Sequence, residues 1–137
     1  MAFTGNYTCD VFKTGLLNGT FNFSSGAFYF ALYTNLATLN ADTTAYTTTG
    51  ETSGGSYVAG GILLTGAAVA ISDNIAYLTF NNPSWTGAIT ARGALIYKTG
   101  ANGAVCVLDF GATKTSTTTF VVQFPTASST SAIIRLG

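Results

Sequence analysis

A chain of 137 residues with five cationic and five anionic side chains, no histidine and a formal net charge of zero is sized for one domain around a single core. The missing histidine removes the usual general base, the Ser-His and Cys-His dyads and the commonest metal ligand, which argues against hydrolase and zinc chemistry. The five cations, Lys13, Arg92, Lys98, Lys114 and Arg135, are too scattered for a phosphate-binding patch, so no nucleic-acid partner is expected.

Charged residues are 7% of the chain and apolar residues 47%, where an ordinary soluble domain carries about 25% charged residues. Over the roughly 6,700 Å² that a monomer of this mass exposes, ten charges leave about one per 670 Å², against about one per 200 Å² in a typical domain. Neither charge density nor net repulsion would keep free copies apart. Thr, Ser, Asn and Gly supply the polar exterior, which packs against a subunit without the cost of burying ions. A permanent subunit contact suits this composition; so does a secreted or surface-layer β domain. Residues 1–6 lack a basic start and an apolar run, and the most apolar stretch, residues 60–71, is short and interrupted by glycine. Neither a signal peptide nor a membrane span is expected, and folding in a cytoplasm is. In that setting Cys9 and Cys106 are expected to be reduced thiols, Cys106 as a small core residue of the run 105–108.

Taken in chain order, residues 8–19 (TCDVFKTGLLNG) place Val11, Phe12 and Leu16 at helical spacing, with Thr8 or Asp10 as a cap and Gly19 as a stop. Residues 1–26 are thus an N-terminal arm carrying one short helix. Beyond it, runs rich in Phe, Tyr, Val, Ile and Thr predict strands at 27–33, 61–71, 75–80, 92–97, 104–110, 119–124 and 132–136. Phe28, Tyr29 and Phe30 stand in a row, so alternation makes both faces of the first strand apolar. One face packs inside; the other needs a cover, either the helix or a second subunit. Residues 34–60 are a long excursion, either ordered against a neighbour through Tyr46, Tyr57 and Val58 or a flexible tip. Ser72, Asp73 and Asn74 predict a tight turn, and residues 99–103 a longer hairpin loop. Seven short strands with such turns predict one all-β domain over residues 1–137, an antiparallel β-sandwich or jelly roll with one short N-terminal helix.

Chemical motifs are sparse. The acids Asp10, Asp42, Glu51, Asp73 and Asp109 form no close pair and are expected at turns, caps or solvated positions. No phosphate-cradling glycine motif occurs, and the N-x-[ST] triplets at Asn6, Asn18 and Asn22 mean nothing without export. No catalytic residue, cofactor or metal is therefore expected. What remains is contact: Phe3, Tyr7, Tyr46, Tyr57, Val58 and Trp85 are the candidate protein-contact residues, in segment 2–7, the excursion around 46–57 and the loop holding Trp85. A single Trp beside Pro83 also reads as a corner filler. If segment 2–7 is a contact arm, deleting it should weaken retention on an assembly more than it lowers the melting temperature.

Several stretches taken together, MAFTGNYTCDVFKTGLLNGTFNF, FALYTNLATLNADTTAYTTTGETSGGSYVAGG, NPSWTGAITARGALIYK, VLDFG and AIIRLG, resemble a group of short virion proteins of tailed bacteriophages. The resemblance covers nearly the whole chain and rests on strand and turn patterns. It implies a capsid or tail component, with the virion as its location after synthesis in the host cytoplasm. The reading favoured within it is a capsid cement, or decoration, protein on the outer face of the shell. Its partners would be the major capsid protein and copies of itself, with no nucleic acid and no membrane. The alternatives are a tail component (adaptor, tube or fibre module) and a receptor- or glycan-binding module; an enzyme is not expected.

Overall fold

Side-chain periodicity and turn chemistry place most of the secondary structure. The structure, a computed structural model, describes residues 3–136, so Ala2 of the N-terminal segment lies outside the described residues. The helix, α1, spans Asp10–Asn18 and ends at Gly19, whose φ of 79° is left-handed. Its N-cap is Cys9, whose side chain makes no capping bond, and not Thr8 or Asp10. Thr8 is held extended by pairing opposite Cys106, which leaves Cys9 as the transition residue. Asp10 falls in the first turn, where a carboxylate complements the helix dipole.

Among the described residues the strands are, in order, β1 (Tyr7–Thr8), β2 (Tyr29–Tyr33), β3 (Ile62–Leu63), β4 (Ala68–Ser72), β5 (Ile75–Thr79), β6 (Ser84–Thr86), β7 (Thr90–Tyr97), β8 (Ala104–Thr115), β9 (Thr119–Val121) and β10 (Ile134–Leu136). Every pairing is antiparallel. They form a five-stranded sheet in the order β1-β8-β7-β2-β3, a three-stranded sheet β10-β5-β4 and a ribbon β6-β9. The architecture is all-β and sandwich-like with one short helix. The expected strand 61–71 is split in two, with Gly66 at a φ of 68° between the pieces. Its Cβ position is filled by the Asn81 amide, so a side chain there would collide. β1 and β6, at two and three residues, are too short to show a period of two.

Both predicted hairpins form. Asp73 (φ 53°) and Asn74 (φ 64°) are left-handed and join β4 to β5 with Ser72 opposite Ile75, a two-residue turn with both central residues at positive φ. The longer loop uses Gly100 (φ 100°) and Asn102 (φ 59°).

β2 lies at the centre of the packing. Phe30, Ile96 and Cys106 are in register across β2, β7 and β8, and so are Leu32, Ala94 and Leu108. That face meets Trp85 and Phe124 through Phe30, and Trp85 in turn meets Phe120 across the ribbon. Phe28 joins Phe21, Phe23 and Phe80, and Phe12 of α1 closes the cluster against Phe21 and Phe23. The opposite face, with Tyr29, Ala31 and Tyr33, is covered by residues 34–60 and by Phe3. Both faces of the aromatic strand are therefore covered by its own chain, with Phe12 of α1 helping to close one of them.

Candidate subunit-contact surfaces

The long excursion is organised by one carboxylate. Glu51 bridges opposite Tyr33 at the outer edge of β2, beside the short β3, and Thr52 N–H donates to the Leu32 carbonyl at 3.0 Å. From this position Glu51 Oε1 accepts the Tyr46 hydroxyl at 2.6 Å, while Oε2 accepts the Tyr57 hydroxyl at 2.5 Å and the Gly60 N–H at 2.8 Å. The Tyr57 hydroxyl oxygen in turn accepts the Leu32 N–H at 3.0 Å, Tyr97 donates its hydroxyl to the Gly60 carbonyl at 2.6 Å, and Tyr33 donates its hydroxyl to the Thr47 carbonyl at 2.7 Å. The Tyr46 ring stacks on Tyr97 with centroids 4.9 Å apart, and Tyr97 stacks on Tyr29 at 5.8 Å. Burial, and then the hydrogen bond to the Glu51 carboxylate, push the Tyr46 and Tyr57 phenols above their ordinary range. Burial does the same for Tyr33, and with the charge of Glu51 pushes Tyr97 up to about 12. Tyr46 and Tyr57, two of the three anchors expected to meet a neighbour, thus meet the chain's own sheet.

A second polar cluster sits under the N-terminal segment. Gly93 carries no side chain where the Phe3 ring lies, and a Cβ there would collide with that ring. Arg92 is within 5.9 Å of the Phe3 centroid and pairs with Asp109, both side chains being largely covered. Asp109 also fixes the bulge of β8, its Oδ1 accepting the Gly111 N–H at 2.8 Å, and its own N–H donates to Asn6 Oδ1 at 2.6 Å. Glu51 and Asp109 therefore depart from the expected turn, cap or solvated positions: Glu51 accepts from three part-buried donors, and Asp109 pairs with the largely covered Arg92. The other acids fit that expectation, Asp73 in its turn also accepting the Ser129 hydroxyl at 2.9 Å.

Of the six candidate contact residues, Phe3 (3% exposed) and Trp85 (4%) are core residues, and Tyr7, Tyr46 and Tyr57 are half-buried. Trp85 fills the corner between the ribbon and β2, as its neighbour Pro83 suggested. Val58, at 68% exposed, is the one that presents its side chain outward. The described structure does not bring the six into one patch. Its exposed large apolar residues are instead Leu17, Leu36, Val58, Leu63, Val69, Ile71, Val121 and Leu136, and seven of these were not singled out from the sequence. Val69 and Ile71 belong to the most apolar stretch of the chain, residues 60–71. Their exposure follows from the break at Gly66, which carries β4 away from the five-stranded sheet.

A groove of ≈ 670 Å³ runs beside β8 and β9, with Phe110, Phe120 and Phe124 on its apolar side and Asp109 and Lys114 on its polar side. Cys9 and Cys106 are free and buried, as expected; burial raises the Cys9 thiol to about 11 and pushes Cys106 higher still. Among the described residues no group of three or more Cys, Asp or Glu is placed to hold a metal ion, and no helix is long and apolar enough to cross a membrane. No protein-family model, curated protein or solved structure matches this chain.

Proposed function

We propose that this protein is a structural subunit of a tailed-bacteriophage virion, acting by packing against other subunits and not by catalysis, and that its place is the capsid, as a cement protein between neighbouring major capsid proteins. The observation that carries this reading is a surface poor in ions yet set with outward apolar side chains, among them Leu17, Leu36, Val58 and Ile71, on a domain whose core is already complete. Apolar residues scattered singly are ordinary on any surface. The combination with a net charge of zero and ten charges in all suits a body held in an assembly at many weak seams. The resemblance of the chain to short virion proteins supplies the kind of assembly. A protein that binds the assembled shell and not its free subunits stabilises the shell by linkage, without any chemical step.

Counting this protein in purified particles tests the proposal. On the order of hundreds of copies per particle supports the capsid role, whereas about six or twelve support a tail component built on a ring. Its absence from purified particles would overturn the virion reading altogether.

A further inference from the structure

β4 is the outer strand of the three-stranded sheet, hydrogen-bonded to β5 on one side only. All five of its residues, Ala68, Val69, Ala70, Ile71 and Ser72, are exposed, Val69 at 59% and Ile71 at 73%. It carries none of the features that keep an open strand from pairing, having no charge, no proline and no bulge. The outer edge of β2, by contrast, is covered by β3 and by residues 51–52.

The hairpin turn decides which backbone groups are left over. A two-residue turn makes Ser72 and Ile75 a hydrogen-bonded pair, and in an antiparallel ladder such pairs alternate along the strand. Ala68, Ala70 and Ser72 therefore bond to β5, and the N–H and C=O groups of Val69 and Ile71 point to the open edge. These two positions are symmetric about Ala70.

We infer that β4 pairs antiparallel with β4 of a second copy of this chain, about a two-fold axis through Ala70. In that register Val69 of each copy lies opposite Ile71 of the other, and all four outward groups on each strand are satisfied. Residues opposite one another point to the same face, so the two Val69 and two Ile71 side chains meet in one apolar cluster. On each flank it continues into Leu136, which shares that face through Ala76 and is 62% exposed. Few sequences tolerate being laid against their own reverse. This one does because the strand has no charge to repel its copy and the whole chain has net charge zero. The one nearby acid, Asp73, falls beside Ala67 of the partner copy and not beside another acid. The result is a continuous six-stranded sheet across two copies. The pairing stands independently of any place in a virion, and its seam is narrow enough to depend on concentration.

The test uses the full chain in solution. Sedimentation over a concentration series should show the average mass rising from 14.1 kDa towards twice that value, and Ile71→Lys should hold it at the monomer value with an unchanged melting temperature. Register is read by disulfide trapping. Ala70→Cys places two thiols about 4.5 Å apart between α-carbons, within the range that a disulfide spans, so mild oxidation should link its copies. Ala68→Cys alone, with its two thiols about 14 Å apart, should not link. An equal mixture of Ala68→Cys and Ser72→Cys should link as a mixed pair. A chain that stays monomeric at millimolar concentration, or Ala70→Cys linking no faster than Ala68→Cys, overturns the inference, whatever the particle count shows.

Discussion

Tyr57 donates its hydroxyl to Glu51 Oε2 at 2.5 Å and accepts the Leu32 N–H at 3.0 Å, so a single phenol ties the edge of β2 to the carboxylate that holds residues 34–60. With Tyr46 on the other oxygen, Glu51 joins two tyrosines that short runs of Thr, Ser and Gly separate from it on either side. A carboxylate is suited to this because it accepts several hydrogen bonds and offers no donor to compete.

Replacing Glu51 with Gln introduces an amide hydrogen where only acceptors fit. Glu51→Gln is expected to cost about 1–3 kcal/mol and to lower the melting temperature by several degrees. Asp42→Asn, at an exposed position, should stay within about 0.5 kcal/mol of the parent. Thermal unfolding followed by circular dichroism checks both; equal effects would mean that the Glu51 network contributes nothing.

Phe3 was expected to serve contact with a neighbour, and it is instead buried over Gly93 and Arg92. Phe3→Ala is expected to destabilise the free domain by about 3–5 kcal/mol. With Tyr7 paired opposite Val107 in β8 as well, deleting residues 2–7 should lower the melting temperature first, reversing the order expected for a contact arm. An unchanged denaturant midpoint for Phe3→Ala would refute the burial.

Alkaline pH should loosen the fold through the tyrosines. An unfolded phenol titrates near pH 10, and Tyr97 in the folded chain is pushed up to about 12. A raised folded value means that the stabilisation is complete below about pH 10 and is lost as pH rises towards about 12. The urea midpoint should therefore be flat up to about pH 9 and fall above about pH 10, and Tyr97→Phe should make that fall shallower. Tyrosinate absorbance appearing well before unfolding would contradict it.

The thiols give a fourth measurement. Cys9 and Cys106 are buried, and Cys9 is raised to about 11, so at pH 8 both are protonated and shielded. A disulfide-exchange reagent should label neither in the native protein within minutes and both at once in denaturant. Rapid native labelling of either thiol would place it at the surface.

The hairpins and the helix were legible because each depends on neighbours in sequence: Asp73 and Asn74 tolerate positive φ, and Gly19 stops a nine-residue helix. The aromatic run 28–30 correctly announced a strand apolar on both faces, but not that the chain would cover both. The role of Asp109 was hidden because Asn6 and Arg92 reach it from distant segments, and that of Glu51 because its partners Tyr46, Tyr57 and Gly60, though near in sequence, lie in irregular chain with no period to show which side chains converge. β4 was hidden for the opposite reason. An apolar run looks the same whether it enters a core or projects from it, and only the path of the backbone after Gly66 separates the two.

The closure of the β2 edge also bears on how the chain fails. Residues 46–60 are fastened in large part by bonds that converge on Glu51, so they should open together and not residue by residue. In native-state hydrogen exchange the Leu32 and Gly60 amides should then share one opening rate. Whenever that strap lifts, a second template for strand addition is laid bare at the centre of the molecule, where misassembly of crowded nascent copies would begin.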